Sequence, residues 1–148
     1  MTTLANIFVA LVALEHALFL ILEMFLWRTP IGVSLFGMKQ DFADASANLA
    51  ANQGLYNGFL SAGLVWSLYS APHGYALKIF FLCCVIVAGL YGAATVKPRI
   101  ALVQALPAAI GLALPGGVAR MREIVLSTCR AHGRDDAYIR LVVTRGEG

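Results

Sequence analysis

Three ionisable side chains, Glu15, His16 and Glu23, stand inside a stretch, Leu4–Trp27, that is otherwise almost wholly apolar. A charge at the middle of a helix in hydrocarbon costs about 2.5–3.5 kcal/mol even on the gentler insertion scale, so such groups are functional candidates by default. At 100° per residue His16 and Glu23 lie within about 20° of one face, whereas Glu15 is rotated well away from Glu23. A carboxyl taken out of water favours its uncharged form unless it finds a partner. The chemistry open to this set is proton carriage or ligand binding along a polar seam. The plain alternative is hydrogen bonding that only fixes helix packing.

A second apolar stretch supplies partners. Asn52 and Tyr56 are four apart, as are Gln53 and Asn57, so two polar stripes run side by side on a helix. Gly54 and Gly58, extended by Ala62, form a small-residue face that lets another backbone approach closely. Further on, Gln104 and Pro107 share a face, and the proline frees a carbonyl that needs a donor. Glu23, Asn52, Gln53, Tyr56, Asn57 and Gln104 are expected to converge in one pocket inside a bundle, with Glu15 and His16 as further binding candidates. No nucleophile beside a base, metal-ligand set or phosphate loop accompanies them. No catalytic residue, metal or cofactor is therefore assigned, and an acid–base enzyme acting on a lipid-like substrate ranks last. Of the three cysteines, Cys83, Cys84 and Cys129, the first two fall in an apolar run, match no metal or redox spacing and are read as buried and inert.

The elements that must position these residues follow from composition. Of 148 residues 59% are hydrophobic and 13% charged, with a mean hydropathy of +0.76, against about 25% charge in soluble domains. A spanning helix needs about 20 apolar residues. Four segments qualify or nearly so: 4–27, 48–69, 75–96 and 100–114, the last cut short by Pro115-Gly116-Gly117. The N-terminal stretch lacks a basic n-region and is read as a retained helix rather than a processed signal. Ile31–Ser46 reads as a mixed connection held at the membrane surface. Trp27 on one side, and Trp66, Tyr69 and Tyr75 on the other, read as interfacial anchors, and Lys78 as a snorkelling residue.

Residues 1–114 hold five basic and four acidic side chains, and residues 115–148 hold six and four. The segment 115–148 reads as a short soluble tail, with a helix over 118–131 and a strand over 137–144. The fold expected is all-α, a four-helix transmembrane bundle with a short C-terminal helix-strand tail. Arg28, Lys39, Lys97 and Arg99 put the first and third connections in the cytoplasm, while Arg120, Arg122, Arg130 and Arg134 argue the reverse. No Arg-rich or aromatic-interleaved patch points to nucleic acid. The partners expected are the lipid bilayer, a small ligand and a second copy of the chain in a homo-oligomer.

Leu22-Glu-Met-Phe-Leu-Trp27, Ala50-Ala-Asn-Gln-Gly-Leu-Tyr-Asn-Gly-Phe-Leu60, Lys97-Pro-Arg99 and Val103-Gln-Ala-Leu-Pro107 together resemble domain-of-unknown-function family 1304. That resemblance, over residues 4–114, implies a small four-helix bacterial membrane protein with no established activity. Met121-Arg-Glu-Ile-Val and Asp136-Ala-Tyr-Ile-Arg-Leu-Val-Val-Thr-Arg-Gly146 are similar to a helix-and-strand stretch of branched-chain-type (class IV) aminotransferases. Those enzymes hold pyridoxal phosphate on a lysine. The lysines here, Lys39, Lys78 and Lys97, all precede that segment, so neither the cofactor nor the activity is carried over. The tail reads as a fused, non-functional fragment. The function expected is a small-ligand or proton binding or transport module in the inner (plasma) membrane. The alternative is an interaction protein whose Gly54–Gly58 face pairs with another chain.

Overall fold

The computed structural model describes residues 3–71 and 73–114, together with 123, 126 and 127. Among the described residues every regular element is helical: α1 (Thr3–Met24), α2 (Pro30–Phe36), α3 (Gln40–Tyr69), α4 (Gly74–Thr95) and α5 (Leu106–Ala113), with a π-helical turn, Ala101–Ala105, leading into α5. Of the helix expected over 118–131, only Glu123, Leu126 and Ser127 are described. The expected strand over 137–144 lies outside the described residues.

Three boundaries differ from the sequence reading, each for a local reason. α1 stops at Met24 rather than Trp27, because the chain must reverse before Thr29. There the Thr29 hydroxyl donates to the Leu26 carbonyl (2.7 Å) and accepts from the Gly32 amide (3.4 Å), with Pro30 following at the start of α2. This is an N-cap with proline where its missing N–H is no loss. The connection expected over 31–46 therefore begins with a helix. Gly37 ends it in the left-handed region (φ +64°), with its amide on Ser34 and that of Met38 on Val33, a Schellman closure. α3 then starts at Gln40, well before the expected residue 48, and runs for 30 residues, about 45 Å. Its first two turns carry Asp41 and Asp44 on exposed positions, polar sequence that reads as loop but belongs to a helix.

α1 packs against α3 and α5, and α4 packs against α3, the π turn and α5. All four meet in a core of Val9, Val12, Ala13, Leu64, Leu82, Val85 and Ala108. Close approach depends on glycine at the α1–α3 seam. A Cβ on Gly54 would lie 2.8 Å from Met24 Cγ and 3.0 Å from Glu23 Cβ, and one on Gly58 would lie 2.4 Å from Leu20 Cδ1. The small-residue face is thus filled by this chain's own first helix. Ala62 lies off that seam, exposed. On the far side, Gly89 of α4 faces the Ala105 backbone (2.8 Å from a Cβ there to its N). The π turn arises just before Pro107: the Leu106 amide reaches back five residues to Ala101, and Pro107 offers no amide to continue the ladder.

α1 and α4 are 22 residues each and are long and apolar enough to cross a membrane, yet only 22% of each apolar window is buried. Leu4, Ile7, Leu11, Leu14, Leu18 and Ile21 all lie on the open side of α1. Cys83 is likewise exposed and Cys84 half-buried, so the expectation that both are buried does not hold.

Candidate functional site

The polar side chains of α1 are placed by one repeating pattern. Asn6, Val9, Ala13, His16, Leu20 and Glu23 follow one another at alternating spacings of three and four, the stripe that a helix turns toward its neighbours. Along it the bundle makes polar contacts at separate levels. Lys78 Nζ donates to Asn6 Oδ1 at 2.9 Å, Ser61 Oγ donates to the Ala13 carbonyl at 2.8 Å, and Asn57 Nδ2 donates to Glu23 Oε2 at 2.7 Å.

His16 is fully buried. Its Nδ1 lies 2.9 Å from the Val12 carbonyl, which can only accept, so Nδ1 carries the proton. That leaves Nε2 as an acceptor, 3.3 Å from the Gln104 amide nitrogen on the π turn. Glu15, next door, is half-buried, and its Oε1 is shielded with no hydrogen bond among the described residues. It shares a helical stripe with Phe8, whose Cβ lies 3.2 Å from where a Gly111 Cβ would stand. Glu15 therefore turns toward α5 rather than toward Glu23.

The expected single pocket is thus divided. Glu23 and Asn57 meet at one end of the bundle, and His16 and Gln104 meet at mid-height. Asn52, Gln53 and Tyr56 lie exposed on the outer side of α3, with Tyr56 edge-on to Phe59. Spacing along α3 correctly sets these residues on common stripes, but Asn57 alone of them turns toward α1, because Gly54 and Gly58 flank it on the seam.

Glu23 also lines a cleft of about 400 Å³ between the end of α1 and the first half of α3, with Trp27, Arg28, Asp44, Asn48 and Ala51. The Trp27 indole donates to Ser46 Oγ (3.0 Å), and Ser46 donates to the Phe42 carbonyl (2.6 Å). Gln40 ties the rim together, donating to the Arg28 carbonyl and to Asp44 Oδ1, each at 3.2 Å. Arg28, Asp44 and Asn48 are additions that sequence reasoning missed. Arg28 and Asp44 fall in what reads as a connection and Asn48 at the very start of the expected span, and only recognising helix from Gln40 onward would set Asp44, Asn48 and Ala51 on one face. The lining thus carries two carboxyls, Glu23 and Asp44, and one guanidinium, Arg28. Among the described residues no three His, Cys, Asp or Glu side chains gather as metal ligands.

Residues 10–115 match the family described as "Protein of unknown function (DUF1304)". The chain belongs to this family. It is similar to the uncharacterized protein YpaA of Lactococcus lactis subsp. lactis, 31% identical over 106 residues, which is 70% of this chain and 89% of that protein. No solved structure matches. The DUF1304 match takes in Glu15, His16, Glu23, Asn57, Gln104 and the whole cleft lining, and it ends at residue 115. Neither comparison supports an aminotransferase likeness for residues 121–148.

Proposed function

We propose that this chain is a multi-pass membrane protein whose four long helical segments cross the bilayer, and that the Glu23 cleft binds a small polar ligand as the binding step of a transport or carrier role. The membrane reading is supported by the unburied apolar sides of α1 and α4. A core helix of a water-soluble protein is mostly covered, and apolar patches this large otherwise mark a lipid or protein contact. α3 spans with residues 48–69, and 101–113 is the short fourth span.

The observation that carries the ligand reading is that Glu23 opens onto a polar cleft instead of lying in a dry seam. Asn57 fixes one carboxyl oxygen from behind, which orients the side chain along the cleft wall. The packing alternative loses the face it relied on, since α1 fills the Gly54–Gly58 groove.

Accessibility tests this reading. In a background with Cys83, Cys84 and Cys129 replaced by serine, Ala51→Cys places a thiol in the cleft wall. A cationic thiosulfonate is expected to label it at least fivefold faster than an anionic one of the same size, and Glu23→Gln is expected to shrink that preference. A thiol that neither reagent reaches, or both reach equally, overturns the reading.

A further inference from the structure

At the other end of the bundle stands a buried cation that has no counter-charge among the described residues. Lys78, one turn into α4, is expected from sequence to stretch toward water, but it is only 8% exposed. Its ammonium donates to the neutral Asn6 amide, and among the described residues it forms no ion pair. Around this end, over residues 3–9, 64–71, 73–78 and 108–114, Lys78 is the one charged residue, histidine aside. A single neutral partner does not compensate an ammonium for the water it has lost, whereas an anion would.

Space for an anion lies beside it. A cleft of about 250 Å³ opens between the end of α3 and the start of α4, lined by Lys78, Ser67, Ser70, Gly74 and Tyr75 among others. Water takes about 30 Å³ per molecule in the liquid, so the cleft holds a phosphate-sized group with room to spare. The Ser67 hydroxyl donates to the Leu64 carbonyl (2.5 Å), and Ser70 adds a further hydroxyl to the lining. A tetrahedral oxyanion, with several acceptor oxygens, suits an ammonium and hydroxyls placed around one cavity. Tyr69, 84% exposed, and Tyr75 flank the site, and on the membrane reading proposed above such aromatics sit at the depth of headgroup phosphates.

We propose that the α3–α4 cleft binds a phosphate-class anion, a lipid headgroup phosphate or a free phosphate, with Lys78 as its counter-ion. The site is separate from the Glu23 cleft: Asn6 and Glu23 stand about 25 Å apart along α1. Failure at one leaves the other standing.

The full-length protein grown on lysine carrying carbon-13 at Cε gives three signals, from Lys39, Lys78 and Lys97, assigned by single Lys→Arg exchange. It is held in an uncharged sugar detergent and titrated with phosphatidylglycerol or, separately, with inorganic phosphate. A saturable shift of the Lys78 signal with phosphatidylglycerol alone identifies a lipid headgroup site, and a shift with inorganic phosphate identifies a free-anion site. A Lys78 signal that moves with neither overturns the proposal. Lys78→Gln, which keeps a donor for Asn6, is expected to retain phosphatidylglycerol or phosphate at least tenfold less well. Because the titration reads the native lysine, the proposal remains testable even where that variant does not fold.

Discussion

α1 and α3 form the most extensive helix pair among the described residues and distribute their polar residues in opposite ways. On α1 the polar groups Asn6, His16 and Glu23 all lie on the stripe facing the bundle, and the open side is leucine and isoleucine. On α3 the seam is built from Ala50, Gly54, Asn57 and Gly58, while Asn52, Gln53 and Tyr56 face away. The contrast follows from what each helix supplies. α1 brings bulk and hydrogen-bonding groups, so α3 must bring space, and only one of its amides finds a place on the seam.

The contrast breaks most visibly where the space is taken away. In Gly54→Leu the new Cβ meets Met24 Cγ, Glu23 Cβ and, at 3.2 Å, the Leu20 carbonyl of the α1 backbone, which cannot swing aside. The expected loss is about 3 kcal/mol, the upper end of overpacking, seen as loss of the monodisperse peak in detergent size-exclusion chromatography. Gly58→Ala is the control: its Cβ meets the tip of the Leu20 side chain, which can rotate, and the folded yield should hold.

Next in size is the pair that bridges the two helices. Glu23→Ala leaves the Asn57 amide, 7% exposed, without its acceptor. The expected cost is about 1–3 kcal/mol, the price of a buried unpaired polar group, measured as a lowered unfolding midpoint in detergent. Glu23→Gln keeps an acceptor oxygen in the same place and should recover most of the loss. Equal damage from both variants would mean that the charge rather than the hydrogen bond carries the contact.

These contacts also show how far the sequence could be read. The long apolar runs of α1 and α4 were legible because nothing but a helix satisfies a backbone through so many apolar residues. The pairing of Glu23 with Asn57 was half-legible: both residue types were marked, and the three-four stripe carrying Asn6, His16 and Glu23 was there to be found. Asn52 and Gln53 went astray because spacing fixes which residues share a face of one helix but not which face the neighbour covers. The start of α3 at Gln40 was hidden by Asp41 and Asp44, which look like loop to a reading tuned to hydrocarbon. The π turn had one signal, Pro107, which announces a freed carbonyl without saying how the ladder adjusts.

The His16–Gln104 contact at mid-height tests whether the inward stripe of α1 is held by hydrogen bonding or by packing. At 3.3 Å the contact is long, and buried side-chain hydrogen bonds between membrane helices couple by about 0.6 kcal/mol on average. A double-mutant cycle with His16→Leu and Gln104→Leu, read by reversible unfolding in mixed micelles, should return a coupling of that size. A coupling near zero would leave His16 held by the Val12 carbonyl and its edge-on contact with Phe19, and would move the weight of the stripe onto Glu23 and Asn6.

The smallest effect belongs to the outward amides. Among the described residues neither Asn52 nor Gln53, both exposed, hydrogen-bonds to the bundle, so Asn52→Leu and Gln53→Leu are expected to change stability by no more than about 0.5 kcal/mol. Their value lies in the second readout, the mass of the protein–detergent particle by light scattering. If the outer side of α3 faces water and headgroups, both variants keep the parent's mass and midpoint. If a second copy covers that side, the amides are the groups that hydrogen-bond across it, and the double variant should fall to a smaller particle at the same midpoint. A change in mass without a change in stability separates an interface from a structural role, because a residue that held the bundle together would lower both.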